Sequence, residues 1–313
     1  MIYAELTGGL GNQMFIYAFA RALGLRGGEA VTLLDRQDWR DGAPAHTAVA
    51  LESLCVSPAV EILSAPGFAK KKLPVQNTLK ALMIKREQRG GMLARDWHGF
   101  EAGAAPALNR LGLHFVTDGF VPCRRGKHPA NLLAWGYFQS ERYFADAADT
   151  VRGELRTRPA LLSDPGTTAL AAQIEAAETP ICLHLRRGDY QAPGNEIFRV
   201  CGPAYYRRAA ALAGEKFPGG TVFVFSDDID YARTALAGST VLPLVFVPGG
   251  RPGAVDLALM QRCRHFILSN STFSWWAQYL GGGGDKTVWA PPRWYTNDKT
   301  CDLYAPGWQL VRV

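Results

Sequence analysis

The stretch His184-Leu185-Arg186-Arg187-Gly188-Asp189-Tyr190, preceded by the run Ile181-Cys182-Leu183, decides the reading of this chain. An apolar run directly after the breaker Thr179-Pro180 predicts a buried strand, and a Gly-Asp pair after two charged residues predicts its exit loop. The two arginines then stand at the strand's carboxyl end, where open α/β sheets bind ligands. Paired guanidinium groups there suit an anion such as phosphate, because each planar fork donates two parallel hydrogen bonds. The competing reading is that Arg186 or Arg187 merely pairs with Asp189 in a solvated turn, and this stretch alone leaves the two level.

Outward from that strand the second half of the chain alternates. Helices are predicted over 166–177, 203–213, 229–237, 254–263 and 272–280, with strands over 181–185, 221–225, 244–247, 265–268 and 287–290. Strands alternating with helices of this length predict a parallel sheet covered on both faces, a Rossmann-like domain. Three loops leave carboxyl ends of its strands and are expected to converge on one crevice: 184–190, Ser226-Asp227-Asp228, and Ser269-Asn270-Ser271-Thr272-Phe273-Ser274-Trp275-Trp276. The last opens a helix with hydroxyl and amide side chains. Such a start suits phosphate bound by hydroxyl and backbone N–H donors, and equally suits simple capping by Ser269, Asn270 or Ser271. Asp227 and Asp228 stand where a nucleotide base or ribose would lie, with the N-cap of the helix from Ile229 as the competing role for one of them. Trp275 and Trp276 cannot share one helix face, so one is expected in the core and the other toward a ligand or domain interface. Asp228-Ile229-Asp230 also fits the D-x-D by which transferases hold a divalent cation. It is set second, because Asp230 falls inside the predicted helix and the arginines already supply positive charge.

The first half opens as strand, tight loop and helix: 1–6, then Thr7-Gly8-Gly9-Leu10-Gly11-Asn12-Gln13, then 14–25. Glycines allow close backbone approach to a ligand, and the helix start offers N–H groups and positive dipole. Gly9 and Gly11 begin the dinucleotide pattern G-x-G-x-x-G, which fails at Met14, and no P-loop Lys-Ser/Thr follows. The loop is therefore a generic phosphate signal, and a nicotinamide-dependent oxidoreductase is disfavoured. The region 35–120, broken by five prolines (Pro44, Pro58, Pro66, Pro74, Pro106), reads as irregular insertions and helices beside an acceptor groove. Beyond it, 132–138 is strand-like and Ser140 caps a helix predicted over 141–155. A short connection over 157–164 divides the chain into domains 1–160 and 161–313.

With 313 residues, 48% hydrophobic and 20% charged, the chain can bury two cores. It lacks an apolar run of the roughly 18 residues needed to span a bilayer and a signal-peptide pattern at its start, so a soluble cytoplasmic protein is expected. Six scattered cysteines form no C-x-x-C pair and are expected to be reduced thiols rather than metal ligands or disulfides. The net charge of +6 is uneven: Lys70, Lys71, Lys72, Lys80, Lys85, Arg86, Arg89 and Arg95 face Glu87 alone within 66–95. Such a run is ordinarily a solvated face; its functional reading is contact with an anionic leaflet or acceptor. Nucleic acid is not expected, because no recognised module accompanies the patch.

Four stretches carry a resemblance. Thr7 to Phe15, Tyr137-Phe138-Gln139-Ser140-Glu141, His184 to Asp189 and Ser269 to Trp276 are similar, in order, to the motifs of bacterial α-1,2-fucosyltransferases, glycosyltransferase family eleven. The resemblance spans 7–276, while 35–120 matches no named motif. It implies a GT-B fold of two facing Rossmann-like domains, the first on the acceptor side and the second binding GDP-fucose. It implies inverting transfer to the 2-hydroxyl of a terminal galactoside, with GDP-fucose as donor substrate and neither cofactor nor metal. A lipid-linked acceptor would bring the enzyme to the cytoplasmic face of the inner membrane as a peripheral protein. Related fucosyltransferases imply Arg186 on the β-phosphate, His184, Asp227 and Asp228 around the guanosine, Ser271 and Thr272 on the phosphates, and Asn12 near fucose and β-phosphate. Gly9, Gly11, Arg187, Asp189, Ser269 and Asn270 complete the expected site. For the general base, Asp189 and Glu5 stand as candidates beside a late proton transfer with no dedicated base.

Overall fold

Five consecutive buried residues, Ile2–Leu6, form β1, the central strand of the first of two parallel sheets. The structure, a computed structural model, describes residues 1–35, 49–64, 71–90, 97–126 and 131–313. Two compact units divide the chain: Met1–Arg156 with Asp298–Leu303, and Thr157–Asn297 with Tyr304–Val313. The division thus falls just before the expected 160/161 boundary, and a short late segment returns to the first unit. Asp302 anchors that segment by accepting from the Phe120 N–H at 2.6 Å.

In the first unit β1 is followed by α1 (Leu10–Gly27), β2 (Val31–Asp35), β3 (Val60–Ser64), α2 (Pro74–Gly90), α3 (Trp97–Arg110), β4 (Leu113–Val116), β5 (Leu132–Gly136) and α4 (Ala148–Glu154). The sheet order is β3-β2-β1-β5-β4 with every pair parallel. The chain steps outward from β1 through β2 and β3, then returns on the other side, so the order reverses between β1 and β5. One face packs Tyr3, Leu34, Leu113, Phe115 and Leu133 against Leu73 and Met83 of the α2 region. Pleating puts Glu5 on that same face, where it meets Lys80 of α2 at 2.5 Å in a buried ion pair.

Two expectations change here. Among the described residues of 35–120 the expected helices occur as α2 and α3, but β3 and β4 were not expected and flank the sheet as its outermost members. The helix expected over 141–155 is broken into 3₁₀ turns at Glu141–Tyr143 and Ala145–Ala147 before α4. Tyr143 and Phe144 are both buried, and the Tyr143 carbonyl accepts from Arg26, which diverts it from an intrahelical bond.

The second unit runs α5 (Pro165–Ala176), β6 (Thr179–Leu185), α6 (Pro203–Lys216), β7 (Gly220–Ser226), α7 (Ile229–Leu236), β8 (Leu244–Phe246), α8 (Gly253–Met260), β9 (His265–Ile267), α9 (Thr272–Leu280), β10 (Val288–Ala290) and β11 (Gln309–Leu310). Its sheet order is β11-β10-β9-β6-β7-β8, again all parallel. Ile181, Leu183 and Leu185 point to the α6 and α7 side with Tyr205, Ala209, Ala232 and Leu236. The intervening Cys182 and His184 face the other way. Here too the order reverses beside the first strand, between β6 and β9, the place where open α/β sheets bind ligands. Among the described residues no helix is long and apolar enough to cross a membrane.

Candidate active site

Because β6 lies between β7 and β9, three exits stand side by side: Arg186 to Tyr190 after β6, Asp227 and Asp228 after β7, and Leu268 to Thr272 after β9. Backbone register fixes this, pairing Leu185 with Ser226 and Leu183 with Ile267.

Both arginines are held by carboxylates. Arg186 donates to Asp189 at 2.6 Å and to Asp227 at 2.8 Å; Arg187 donates to Asp228 at 2.6 Å and lies 4.1 Å over the Tyr231 ring. Pairing with Asp189 therefore occurs, yet it is neither a lone solvated turn nor a buried pair, since the Arg186 side chain is 27% exposed. Asp227 also accepts from the Arg187 N–H at 2.9 Å, tying the two exits together. Gly188 leaves room for it, because a Cβ there would lie 2.5 Å from Asp227 Oδ2 and displace that carboxylate. Asp228 is the N-cap of α7, accepting from the Tyr231 N–H at 3.0 Å with one oxygen and from Arg187 with the other. A D-x-D holding a metal would need those same oxygens, and Asp230 sits in the first turn of α7.

His184 turns inward. Its Nδ1 lies 2.6 Å from Ser274 Oγ and 3.1 Å from Ser269 Oγ, and the two hydroxyls are 3.0 Å apart. Burial, with a smaller push from Arg186, holds the imidazole down at about 3, so it is neutral near pH 7. Asn270 is buried as well, its amide donating at 2.9 Å to the carbonyls of Phe198 and Trp294. Ser271 caps α9 by accepting from the Phe273 N–H, and Thr272 opens the helix half-exposed. Thus His184, Ser269 and Asn270 brace the exit loops from below, and Arg186, Arg187 and Thr272 are the more accessible groups. Trp275 and Trp276 are both buried, correcting the expectation that one would face outward: α9 is covered nearly all round.

One residue absent from the expected site links its parts. The hydroxyl of Tyr190 donates to the Asn270 carbonyl at 3.0 Å, and the Arg186 guanidinium lies 5.8 Å from the Tyr190 ring. Tyr190 thereby couples the arginine exit to the start of α9. Sequence shows an aromatic after Gly-Asp but cannot show a partner eighty residues away.

In the first unit the loop after β1 carries Gly9, Gly11 and Asn12. The left-handed position is Gly8 (φ 72°), whereas Gly9 is the extended N-cap of α1 and Gly11 lies buried in its first turn. The loop is pinned by Gln13, which donates to the Gly8 carbonyl and accepts from the Ala50 N–H, both at 2.9 Å. Asn12 accepts from the Gln139 amide at 2.9 Å, joining the β1 and β5 exits. Of the two candidates for a base, Glu5 is locked to Lys80 and Asp189 to Arg186.

The profile of glycosyl transferase family 11 matches residues 115–312, which take in both arginines, α9 and the β5 exit. The chain belongs to glycosyl transferase family 11. This glycosyltransferase is 25% identical over 319 residues to the Escherichia coli O-antigen biosynthesis glycosyltransferase WbnK, covering 98% of this chain and 99% of that protein. It is 27% identical over 307 residues to an Escherichia coli alpha-1,2-colitosyltransferase, covering 96% and 94%. Mouse galactoside 2-alpha-L-fucosyltransferase Sec1 is 30% identical over 109 residues, which is 34% of this chain and 29% of the mouse protein. Among solved structures, the fucosyltransferase NodZ from Bradyrhizobium superposes with a TM-score of 0.52 at 16% identity, covering 90% of this chain and 91% of that one. The glycosyltransferase therefore has the GT-B fold, built from two Rossmann-like α/β domains.

Proposed function

We propose that this family 11 enzyme transfers L-fucose from GDP-β-L-fucose to the 2-hydroxyl of a terminal galactoside, with inversion, giving an α-1,2-fucosylated glycan. The observation that carries the reading is the Arg186 fork, fixed in orientation by two carboxylates and linked through Tyr190 to the start of α9. As the donor's glycosidic bond breaks, negative charge grows on the departing β-phosphate. Donors already aimed at that charge stabilise the transition state more than the ground state. Arg186 supplies a bidentate guanidinium, and the first N–H groups of α9 add the positive end of a helix dipole.

Colitosyl transfer is the second reading, favoured by the full-length likeness to an alpha-1,2-colitosyltransferase. Mass spectrometry and linkage analysis of products, with GDP-fucose, GDP-colitose and a UDP-sugar offered to galactose-ended disaccharides, tests both. An α-1,2-fucosylated product supports the proposal, while a product from another donor alone overturns it. Repeating the assay in EDTA tests the metal-dependent alternative through Asp228 and Asp230.

We infer as well that α2 contacts an anionic leaflet when the acceptor is lipid-linked. Lys71, Lys72, Lys85, Arg86 and Arg89 are exposed, and the apolar Val75 (55%) and Leu82 (59%) are exposed among them. Apolar side chains interleaved with cations suit a lipid surface, each cation adding about 1 kcal/mol near anionic headgroups. Lys80 does not belong to this face, since it is buried against Glu5; Lys70 and Arg95 lie outside the described residues. Flotation with phosphatidylglycerol vesicles is expected to carry the protein, and phosphatidylcholine vesicles to leave it behind; equal recovery with both would contradict the inference.

A further inference from the structure

The β5 exit holds a feature that the role proposed for Arg186 does not use. Gly136 ends the strand at φ 146°, where a Cβ would lie 1.9 Å from the Val116 carbonyl oxygen, so any other residue is excluded. Two residues on, Phe138 takes a left-handed backbone (φ 51°), a conformation unfavourable for a bulky residue. That cost is offset by burying its ring, which stacks on Phe19 at 4.0 Å and meets Tyr143 edge-on at 5.6 Å. With Gly136 fixed below and Phe138 anchored above, the intervening Tyr137 is turned outward and stays 38% exposed. Its hydroxyl is paired with Thr7, which ties the side chain to the loop after β1. The amides of Asn12 and Gln139, bonded to each other at 2.9 Å, complete this edge. All of these groups leave the carboxyl ends of β1 and β5, the pair between which the first sheet reverses its order, which is the general place for ligands in such sheets.

We propose that Tyr137 is the stacking platform for a pyranose ring, with Asn12 and Gln139 as amide partners for its hydroxyls. An aromatic face packs against the C–H groups on the apolar side of a hexopyranose, and side-chain amides both donate and accept. The ring can come from the acceptor's terminal hexose or from the donor's sugar, and this inference rests on the glycosyl-transfer reading above. The test is steady-state kinetics of Tyr137→Ala and Tyr137→Phe with both substrates varied, alongside GDP affinity by thermal shift. If the acceptor stacks here, Tyr137→Ala raises the acceptor KM about tenfold, equivalent to about 1.4 kcal/mol, and leaves donor KM and GDP affinity in place. If the donor's sugar stacks here, donor KM rises instead while GDP affinity holds. In either case Tyr137→Phe, which keeps the ring, restores the wild-type KM. Unchanged KM values, a loss of GDP affinity, or equal damage from Phe and Ala would overturn the proposal. Saturation-transfer NMR of the wild-type and Tyr137→Ala proteins with galactosides and with fucose reads the platform without turnover. A wrong assignment of the transferred sugar is thereby separated from a wrong assignment of Tyr137.

Discussion

The two sheet edges that carry the candidate residues are built on opposite principles. At the β6 and β7 exits, charge dominates: Arg186, Arg187, Asp189, Asp227 and Asp228 hold one another at 2.6 to 2.8 Å. At the β1 and β5 exits the groups are neutral, namely glycines at positive φ, the Asn12–Gln139 amide pair and an exposed tyrosine. The first arrangement suits an anion whose charge changes during a reaction. The second suits a neutral polyol that must be oriented, and two buried charges of its unit, Glu5 and Lys80, are spent on each other. Under the proposals above, electrostatic stabilisation falls to the charged edge and sugar positioning to the neutral one.

The largest effect that can break this contrast is expected at Arg186. Arg186→Ala should lower kcat by on the order of a hundredfold or more, about 3 kcal/mol, as for other preorganised donors. Arg186→Lys should not rescue it, because an ammonium cannot reproduce the fork held between Asp189 and Asp227. Turnover close to wild type in either variant would remove the charged edge from the chemistry. A comparable effect of a different kind is expected at Gly136. Its Ala variant forces Cβ to 1.9 Å from a backbone oxygen and should destabilise the first unit by about 3 kcal/mol or more in urea denaturation. A stable Ala variant would mean that the path turning Tyr137 outward is not fixed as described.

A smaller effect sharpens the role given to His184. Burial, together with the neighbouring Arg186 charge, lowers its imidazole from 6.5 to about 3. Between those values the unfolded chain binds a proton that the native protein does not. Stability contributed by the neutral imidazole is therefore complete above about pH 6.5 and is lost as pH falls toward 3, by up to about 1.4 kcal/mol per unit. His184→Gln should show a shallower decline in denaturation midpoint between pH 7 and 5. An unchanged slope would show that His184 is not the buried neutral brace.

What sequence could supply follows from the range of each interaction. The alternation after residue 160 was legible because a parallel sheet buried on both faces demands apolar strands between helices of similar length. Asp228 as an N-cap is likewise a local matter, decided by the helix beside it. Strand β3 was hidden because an outermost strand needs no clean pattern, and its residues run from buried Val60 to exposed Ser64. Lys80 read as one more cation in a basic run, since its partner Glu5 lies far away in sequence and meets it only after β1 and α2 pack. The inward turn of His184 and Asn270 was equally invisible, for their partners lie far along the chain, on α9 and on distant loops. The motif named residues that the fold gathers at neighbouring strand exits, without telling which of them turn inward and which stay exposed.

The most direct test is a crystal structure of the protein with GDP. The diphosphate should lie against the Arg186 guanidinium and the first turn of α9, at the exits of β6 and β9. A nucleotide bound elsewhere, with Arg186 still clasped between Asp189 and Asp227 and touching no phosphate oxygen, would contradict the account.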